Sequence, residues 1–166
     1  DIIIAGDFTT ADGAASVRVA RVSTAGVVDA SFGSNLGTGP NTSVLAIARD
    51  SVGRFVIGGS FADVAGAANS VSVARLAANG SLDTSFYTGS GANAAVNAIT
   101  LDTLGRVFIG GDYTIFNGTT VNRFTRLVSG PIAGLRDTTY APSGLAAKLL
   151  IAGDFTTFEA DERRGI

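Results

Sequence analysis

The sequence contains no cysteine, histidine, methionine or tryptophan, and each absence excludes a class of function or origin. Without cysteine there is no disulfide framework, no thiolate zinc site and no cysteine nucleophile. Without histidine there is no Ser–His relay, no imidazole metal ligand and no side chain that ordinarily titrates near neutral pH. Because methionine is absent, position 1 is not a translation start, and we expect a fragment or a processed chain.

Charge is also scarce, since only 16% of the residues are charged, against about 25% in an average soluble domain. The 12 basic and 14 acidic residues give a net charge of −2 and form no basic cluster, so we expect no nucleic-acid partner. No apolar run reaches the roughly 18 residues that a membrane-spanning helix needs. Hydrophobic residues make up 46% of the chain, which is enough to build a core.

Three short blocks recur in the same order along the chain. The first reads Ile-Ala-Gly-Asp-Phe at its first occurrence, the second Val-Ala-Arg-Val, and the third Val-Asp-Ala-Ser-Phe. The first block occupies residues 4–8, 57–61, 109–113 and 151–155, the second 19–22, 73–76 and 124–127, and the third 28–32, 82–86 and 136–140. Successive copies therefore start 51 to 54 residues apart, except that the fourth copy of the first block starts only 42 residues after the third.

Each period holds four short segments rich in Val, Ile and Phe, separated by Gly, Asn or Asp. Such segments predict strands, and the Asp-x-x-Gly turns at residues 50–53 and 102–105 predict hairpins, whereas helical periodicity is hard to find. Four strands in about 50 residues indicate an all-β fold of β-propeller blades, each with about four antiparallel strands. A β-helix is the alternative, although its coils are usually much shorter.

The period divides the chain into about three blades of a larger assembly. Repeat 1 covers residues 1–54 and starts within a repeat, repeat 2 covers 55–106, repeat 3 covers 107–147, and residues 148–166 begin repeat 4. Repeat 3 is short, and we interpret this as a real deletion or as a segment missing between Ala147 and Lys148. Both ends of the chain look like cuts within a repeat.

Repeat 2 carries a family resemblance in three stretches. Gly-Arg-Phe-Val-Ile-Gly-Gly-Ser-Phe at 53–61, Val-Ala-Arg-Leu at 73–76 and Asn-Gly-Ser-Leu-Asp-Thr-Ser-Phe at 79–86 resemble the delta-60 repeat, a β-propeller family of bacterial secreted and surface proteins. The resemblance covers essentially the whole chain, with departures at Ala5, Ala152 and residues 124–125. It implies a propeller scaffold without a common active site.

Glycines and aromatic residues dominate the positions that recur once per repeat. A Gly-Gly pair before an aromatic residue can end a strand where backbones approach closely, and no phosphate-binding pattern follows it. We interpret the aromatic residues as core between blades rather than as sugar-stacking platforms. The positions given structural roles are Gly6, Phe8, Arg21, Asp29, Phe32, Gly59, Phe61, Arg75, Asp83, Phe86, Gly111, Tyr113, Arg126, Asp137, Tyr140, Gly153 and Phe155.

Each repeat also carries one arginine in an apolar strand and one aspartate in the following loop. Asp29, Asp83 and Asp137 each precede a hydroxyl residue by two positions, which predicts an Asx turn; calcium binding is the functional alternative. The arginines either pair with these aspartates or extend into solvent. Asn-x-Ser/Thr sequons begin at Asn41, Asn79 and Asn117, and we interpret them mainly as turns.

The sequence therefore favours a non-enzymatic structural or adhesion scaffold from an extracellular, cell-surface or virion protein. Its expected partners are the rest of its own chain or other copies, because terminal blades need neighbours. A module that binds glycans or small ligands on the loop face is the alternative, with Tyr87 and Tyr113 as modest candidates. A propeller hydrolase or lyase would require an acidic cluster, which is not visible. No cofactor is expected, and calcium is the one metal that these loop aspartates could bind.

Overall fold

The computed structural model describes residues 1–68, 70–130 and 133–140, and this part of the chain is almost entirely β. It contains one short helix, α1 (Ala30–Leu36). The strands are β1 (Ile2–Ala5), β2 (Thr10–Ala11), β3 (Ala14–Ala15), β4 (Val19–Val22), β5 (Val44–Arg49), β6 (Phe55–Gly59), β7 (Val73–Leu76), β8 (Val96–Leu101), β9 (Val107–Gly111), β10 (Ile115–Phe116), β11 (Thr119–Thr120) and β12 (Phe124–Leu127). None of the described helical segments has the length and apolarity needed to cross a membrane.

The main sheets form three successive units, which we call blades 1, 2 and 3. Blade 2 has the strand order β5-β6-β7 and blade 3 has β8-β9-β12, all antiparallel. Blade 1 has the antiparallel pair β1-β4, in which β1 corresponds to the central strand of the other blades and β4 to their third strand. Beyond the third strand each blade continues through one isolated bridge, which joins Val22 to Val28, Leu76 to Leu82 and Leu127 to Arg136. The fourth strand expected from the sequence is thus reduced to a single bridging residue in each blade.

The sequence repeats are offset from the structural blades. The boundary between repeats 1 and 2, at residues 54/55, lies in the hairpin that joins β5 to β6, within blade 2. In that turn the Asp50 amide donates to the Arg54 carbonyl at 2.9 Å, and the Asp50 carboxylate accepts the Val52 and Arg54 amides. Asp102 closes the β8–β9 hairpin in the same way. The Asp-x-x-Gly pattern therefore correctly predicts these hairpins.

The second glycine of the Gly-Gly motif lies opposite a β-bulge. The pairing of β5 with β6 shifts register near its start, and the pairing of β8 with β9 does so at the equivalent place. A Cβ atom on Gly59 would lie 2.0 Å from the Ser43 carbonyl oxygen, and one on Gly111 would lie 2.1 Å from that of Ala95. These two positions accept only glycine because a neighbouring backbone occupies the space of a side chain.

Helix α1 is a feature that the sequence pattern does not predict. Asp29 caps its N-terminus by accepting the amides of Ser31 and Phe32. Gly37 ends it at φ +67°, and Phe32 and Leu36 are buried on its inner face. Phe32 is 12 residues before the first residue of β5, whereas Phe86 is 10 residues before the first residue of β8. The longer connection accommodates two helical turns, which are too short to show a clear helical period.

Apolar side chains fill the two spaces between successive blades. Alternate residues of β6 point to opposite sides, so that Ile57 packs towards blade 1 and Val56 towards blade 3. The core between blades 1 and 2 contains Val19, Phe32, Leu36, Val44, Phe55, Ile57, Phe61, Val64, Ala74 and Leu76. The core between blades 2 and 3 contains Val56, Val73, Phe86, Ala92, Val96, Val107, Ile109, Tyr113, Phe116, Leu127 and Ala133.

A small hairpin interrupts each blade between its central and third strands. Its tip has two consecutive residues with positive φ, at positions 12–13, 65–66 and 117–118, as a type I′ turn requires. The residue before the third strand, which is Arg18, Ser72 or Arg123, also has φ near +60° although it is not glycine. Its carbonyl accepts the amide of the second glycine of the motif in each blade.

Several sequence predictions lie outside the described residues. They are the roles of Gly153 and Phe155, the fourth repeat at 148–166, and the junction between Ala147 and Lys148 in the short third repeat.

Candidate functional site

The most regular polar feature of the described chain is one arginine and one aspartate per blade, which we call the Arg–Asp unit. The arginine lies in the third strand and the aspartate follows the bridge beyond it. The aspartate amide donates to the arginine carbonyl at 2.8 Å in all three units, so the backbone fixes their separation. The units are Arg21–Asp29, Arg75–Asp83 and Arg126–Asp137.

The arginine side chain of every unit is paired with its aspartate. The Nε–Oδ2 distance is 2.9 Å for Arg21–Asp29, 2.8 Å for Arg75–Asp83 and 2.9 Å for Arg126–Asp137. Of the two arrangements open from the sequence, the structure has the paired one in all three blades. This pairing satisfies the guanidinium groups where the strand runs against the core.

The second carboxylate oxygen of each aspartate forms the Asx turn predicted from the sequence. Oδ1 of Asp83 accepts the amide of Ser85 at 3.0 Å and its hydroxyl at 2.6 Å. Ser31 and Thr139 make the same two contacts in the other blades. Both oxygens of each aspartate are thus engaged within the protein. Within residues 1–68, 70–130 and 133–140, no group of three or more acidic residues is arranged to hold a metal ion.

The arginine of each unit also lies over the aromatic residue that ends the third sequence block. The distance from Cζ to the ring centroid is 5.2 Å for Arg21 over Phe32, 4.8 Å for Arg75 over Phe86, and 4.2 Å for Arg126 over Tyr140. These are cation–π distances. Sequence reasoning missed this contact, although the constant order of arginine, aspartate and aromatic residue could have indicated it.

The aspartates of the units are held in the ionised form. At Asp29, hydrogen bonds from Ser31 and Arg21 lower the carboxyl pKa. At Asp83, burial raises the pKa, but hydrogen bonds from Ser85 and Arg75 outweigh it and leave the pKa below its usual value. The same balance, with Thr139 and Arg126 as donors, lowers the pKa of Asp137. Such groups suit a structural ion pair better than proton transfer near neutral pH.

Two aromatic residues of the Gly-Gly motif, Phe61 and Tyr113, lie in the cores between blades. Phe61 and Tyr113 are fully buried, and Phe8 at the outer side of blade 1 is half-buried. The Tyr113 hydroxyl donates to the Ile109 carbonyl at 2.9 Å, and burial raises its pKa. Tyr113 was therefore a wrong candidate for a glycan contact, because its ring has no solvent-accessible face.

Tyr87 remains as the exposed tyrosine of the loop face. Tyr87 is 48% exposed and borders a small cavity of about 80 Å³ that Ser70, Asp83 and Thr84 also line. That volume is far below the roughly 300 Å³ at which drug-sized ligand pockets begin. The surface around Tyr87 is better suited to stacking of its ring against one exposed group of a ligand than to enclosing a whole ligand.

The first sequon residue has a structural role. The Asn41 side chain donates to the Asp63 carboxylate at 2.7 Å and accepts the Ala62 amide at 2.9 Å, which ties the loop before β5 to the loop after β6. Asn93 accepts the amides of Thr114 and Ile115 in the next blade. Sequence reasoning missed this role. The signal for it was present, because Asn41 and Asn93 are 52 residues apart and therefore occupy the same position in successive repeats.

A second ion pair lies where the central strand of blades 1 and 3 ends. Asp7 is 3.5 Å from Arg18, and Asp112 is 3.8 Å from Arg123. In blade 2 both positions are serine, at residues 60 and 72. The structure thus places an arginine, and no second carboxylate, as the ion-pair partner of Asp7.

Comparison with known families agrees with this architecture. A family model described as a domain of unknown function (DUF5122) with a beta-propeller fold matches residues 1–32 and 53–86. Each matched stretch ends at the aromatic residue of an Arg–Asp unit. Comparisons with curated proteins and with solved structures found no match. The chain is thus similar to a β-propeller repeat family, and its fold class is that of a partial β-propeller.

Proposed function

We propose that this chain is a non-enzymatic structural or adhesion scaffold, and that it forms part of a β-propeller in a longer surface, secreted or virion protein. Its partners in this proposal are the rest of its own chain or further copies, and not nucleic acid. The delta-60 resemblance supports this assignment at the level of the family, since that family is associated with bacterial surfaces.

The observation that carries the proposal is the threefold repetition of the Arg–Asp unit with nearly constant geometry. A catalytic or binding site is made by particular side chains placed on a fold, and not by the residues that the fold repeats in every unit. Here the charged side chains of all three units bind each other and the backbone. They therefore support a role in holding the blades rigid.

The experiment is a combined screen of the full 166-residue chain. Hydrogen exchange should show slow amides in β5–β7 and in β8, β9 and β12, with similar protection in both sheets, as one cooperative body requires.

A panel of glycoside and ester substrates should show no turnover that follows the purified protein. Turnover that co-purifies with the chain and is lost on its unfolding would contradict the proposal.

A glycan-binding module is the second candidate, and exposed Tyr87 beside its shallow cavity is the observation that favours it. On a glycan array the scaffold proposal expects no retained glycan for the chain or for Tyr87→Ala. Retention by the unmodified chain that disappears in Tyr87→Ala, but persists in a control such as Val52→Ala on a different loop, would favour the binding module instead.

A further inference from the structure

The sequence contains two asparagine–glycine pairs, and the structure places them in different surroundings. Asn79–Gly80 lies in the turn that follows β7, and Asn117–Gly118 forms the tip of the β10–β11 hairpin. Each pair is followed by a hydroxyl residue, Ser81 or Thr119, so their local sequences are closely similar. We therefore expect a difference in their reactivity to come from the fold.

An asparagine followed by glycine can lose its side-chain amide without an enzyme. The backbone nitrogen of the glycine attacks Cγ of the asparagine, a C–N bond forms, and the side-chain nitrogen leaves as ammonia with the proton that the backbone nitrogen gives up. Water then opens the cyclic imide at either carbonyl, which yields aspartate or isoaspartate. The reaction requires an attacking nitrogen free of an acceptor and a backbone that can rotate, and glycine favours rotation because it has no Cβ atom.

The fold restrains the Asn79–Gly80 pair at three points. The Gly80 amide, which would have to attack, donates to the Ala77 carbonyl at 2.9 Å. Asn79 Oδ1 accepts the Ser81 amide at 3.1 Å and the Ser81 hydroxyl at 2.8 Å. Gly80 is buried, and a Cβ atom on it would lie 2.6 Å from the Phe32 carbonyl oxygen. Ring closure at Asn79 therefore requires several contacts to break together.

The Asn117–Gly118 pair is held more loosely. Both residues are exposed, and a Cβ atom on Gly118 would meet nothing within 4 Å. In the part of the chain that the structure describes, the Gly118 amide has no hydrogen-bond acceptor. The hydrogen bond from the Ser90 amide to Asn117 Oδ1 is long, at 3.3 Å. Strands β10 and β11 have two residues each, so the tip can open locally while the rest of the blade stays folded.

We propose that Asn117 is a site of spontaneous deamidation in the folded chain, and that the fold protects Asn79 from the same reaction. Blade 1 shows that the aspartate product fits, because the equivalent tip is Asp12–Gly13 and Asp12 has the same φ of +46° as Asn117. Isoaspartate would instead lengthen the main chain by one methylene, so the type I′ turn could not form unchanged. This inference goes beyond the scaffold function and does not depend on it.

Peptide mapping by mass spectrometry tests the inference on the full 166-residue chain, incubated at mildly alkaline pH with and without urea. In the folded chain we expect Asn117 to gain one mass unit at least about tenfold faster than Asn79, because the free energy of local opening differs between the two turns. In urea the two rates should become similar. Equal rates in the folded chain, a faster reaction at Asn79, or a difference that persists undiminished in urea would overturn the proposal.

Hydroxylamine gives a second measurement, because it cleaves a chain at the cyclic imide. The folded chain should break between residues 117 and 118, whereas the unfolded chain should break there and also between residues 79 and 80. Asn117→Ala is the matched control, since blade 2 has Ala65 at this position with φ +53°. This variant should fold and should resist cleavage while folded. Cleavage of the folded, unmodified chain after residue 79 and not after residue 117 would refute the assignment.

Discussion

Arg75 and Asp83 bind each other twice in opposite directions. The Asp83 amide donates to the Arg75 carbonyl at 2.8 Å, and the Arg75 Nε donates to the Asp83 carboxylate at 2.8 Å. The backbone contact sets the position of the loop and the side-chain contact closes it. The same reciprocal arrangement occurs in the other two blades, so it is a property of the repeat.

The burial of this pair predicts unequal effects of the same substitution in two blades. The Arg75 side chain is 8% exposed and that of Arg21 is 25% exposed. Arg75→Met should lower the free energy of unfolding by about 2 kcal/mol, because it leaves a poorly solvated carboxylate without its hydrogen-bonded guanidinium. Arg21→Met should cost less than about 1 kcal/mol, since solvent screens that pair.

Urea unfolding monitored by circular dichroism measures both variants. Met retains most of the apolar stem of arginine, so the comparison isolates the guanidinium. Equal losses in the two variants would show that burial does not control the strength of the unit.

The lowered aspartate pKa values predict an acid-labile fold. Hydrogen bonds from arginine and hydroxyl groups leave the pKa values of Asp29, Asp83 and Asp137 below the ordinary 3.8. A carboxyl with a lowered pKa in the folded state contributes stability above its unfolded pKa and loses it as the pH falls through its folded value. The free energy of unfolding should therefore be flat from about pH 8 to pH 5 and fall below about pH 4.

Chemical unfolding at a series of pH values tests this expectation. The flat region follows because the sequence has no histidine to titrate there. Asp83→Asn is the informative variant, since it should be less stable at neutral pH and should lose less on acidification. A steep change between about pH 6 and 7 would contradict the assignment of the transition to aspartates.

The buried hydroxyl of Tyr113 predicts a modest loss on its removal. Tyr113→Phe deletes the hydrogen bond to the Ile109 carbonyl and should lower the free energy of unfolding by about 1 kcal/mol. Tyr87→Phe is the matched control, since the exposed Tyr87 hydroxyl should contribute almost nothing. Thermal unfolding by calorimetry would show the difference, and a larger loss in the Tyr87 variant would refute it.

The close approach at the second motif glycine predicts a sharp contrast with the first motif glycine of blade 3, Gly110; in blade 2 the first glycine, Gly58, is crowded as well, because its Cβ would lie 2.7 Å from Val96 Cγ1. Gly59→Ala would place a Cβ atom 2.0 Å from the Ser43 carbonyl oxygen, and should cost at least about 3 kcal/mol because backbone must move. Gly110→Ala meets its first described neighbour, the Arg123 carbonyl oxygen, at 3.8 Å and should be tolerated. Denaturant midpoints of the two variants should differ clearly, and similar midpoints would show that the bulge can relax.

The sequence predicts those parts of the fold that depend on local and repeated chemistry. The hairpin at Asp50 follows from turn residues, and the Asx turn at Asp83 follows from a carboxylate two residues before an amide. The pairing of Arg75 with its aspartate could be proposed because an apolar strand cannot hold an unpaired guanidinium. In each case the determinant lies within a few residues or recurs in every copy.

Features that depend on packing between copies could not be predicted from the sequence. Helix α1 forms because a longer connection lets Leu36 reach the core. Its sequence has no helical periodicity from which it could be predicted. Ser72 adopts positive φ because tertiary contacts hold it there, against its own preference. Tyr113 and Tyr87 look alike in the sequence, and only the stacking of blades shows that one is core and the other is exposed.

The offset between sequence repeat and blade has a consequence for how such chains can change in number of copies. Blades 2 and 3 each draw their first strand, β5 or β8, from one copy and their other strands from the next, and the boundary lies at the Asp-x-x-Gly turn of each hairpin. If a whole copy were lost or duplicated, the new junction would again lie in an Asp-x-x-Gly turn. The sheet at that junction would still receive a first strand from one copy and its other strands from the next. Blade number can then vary during evolution without an incomplete sheet arising in the interior of the array.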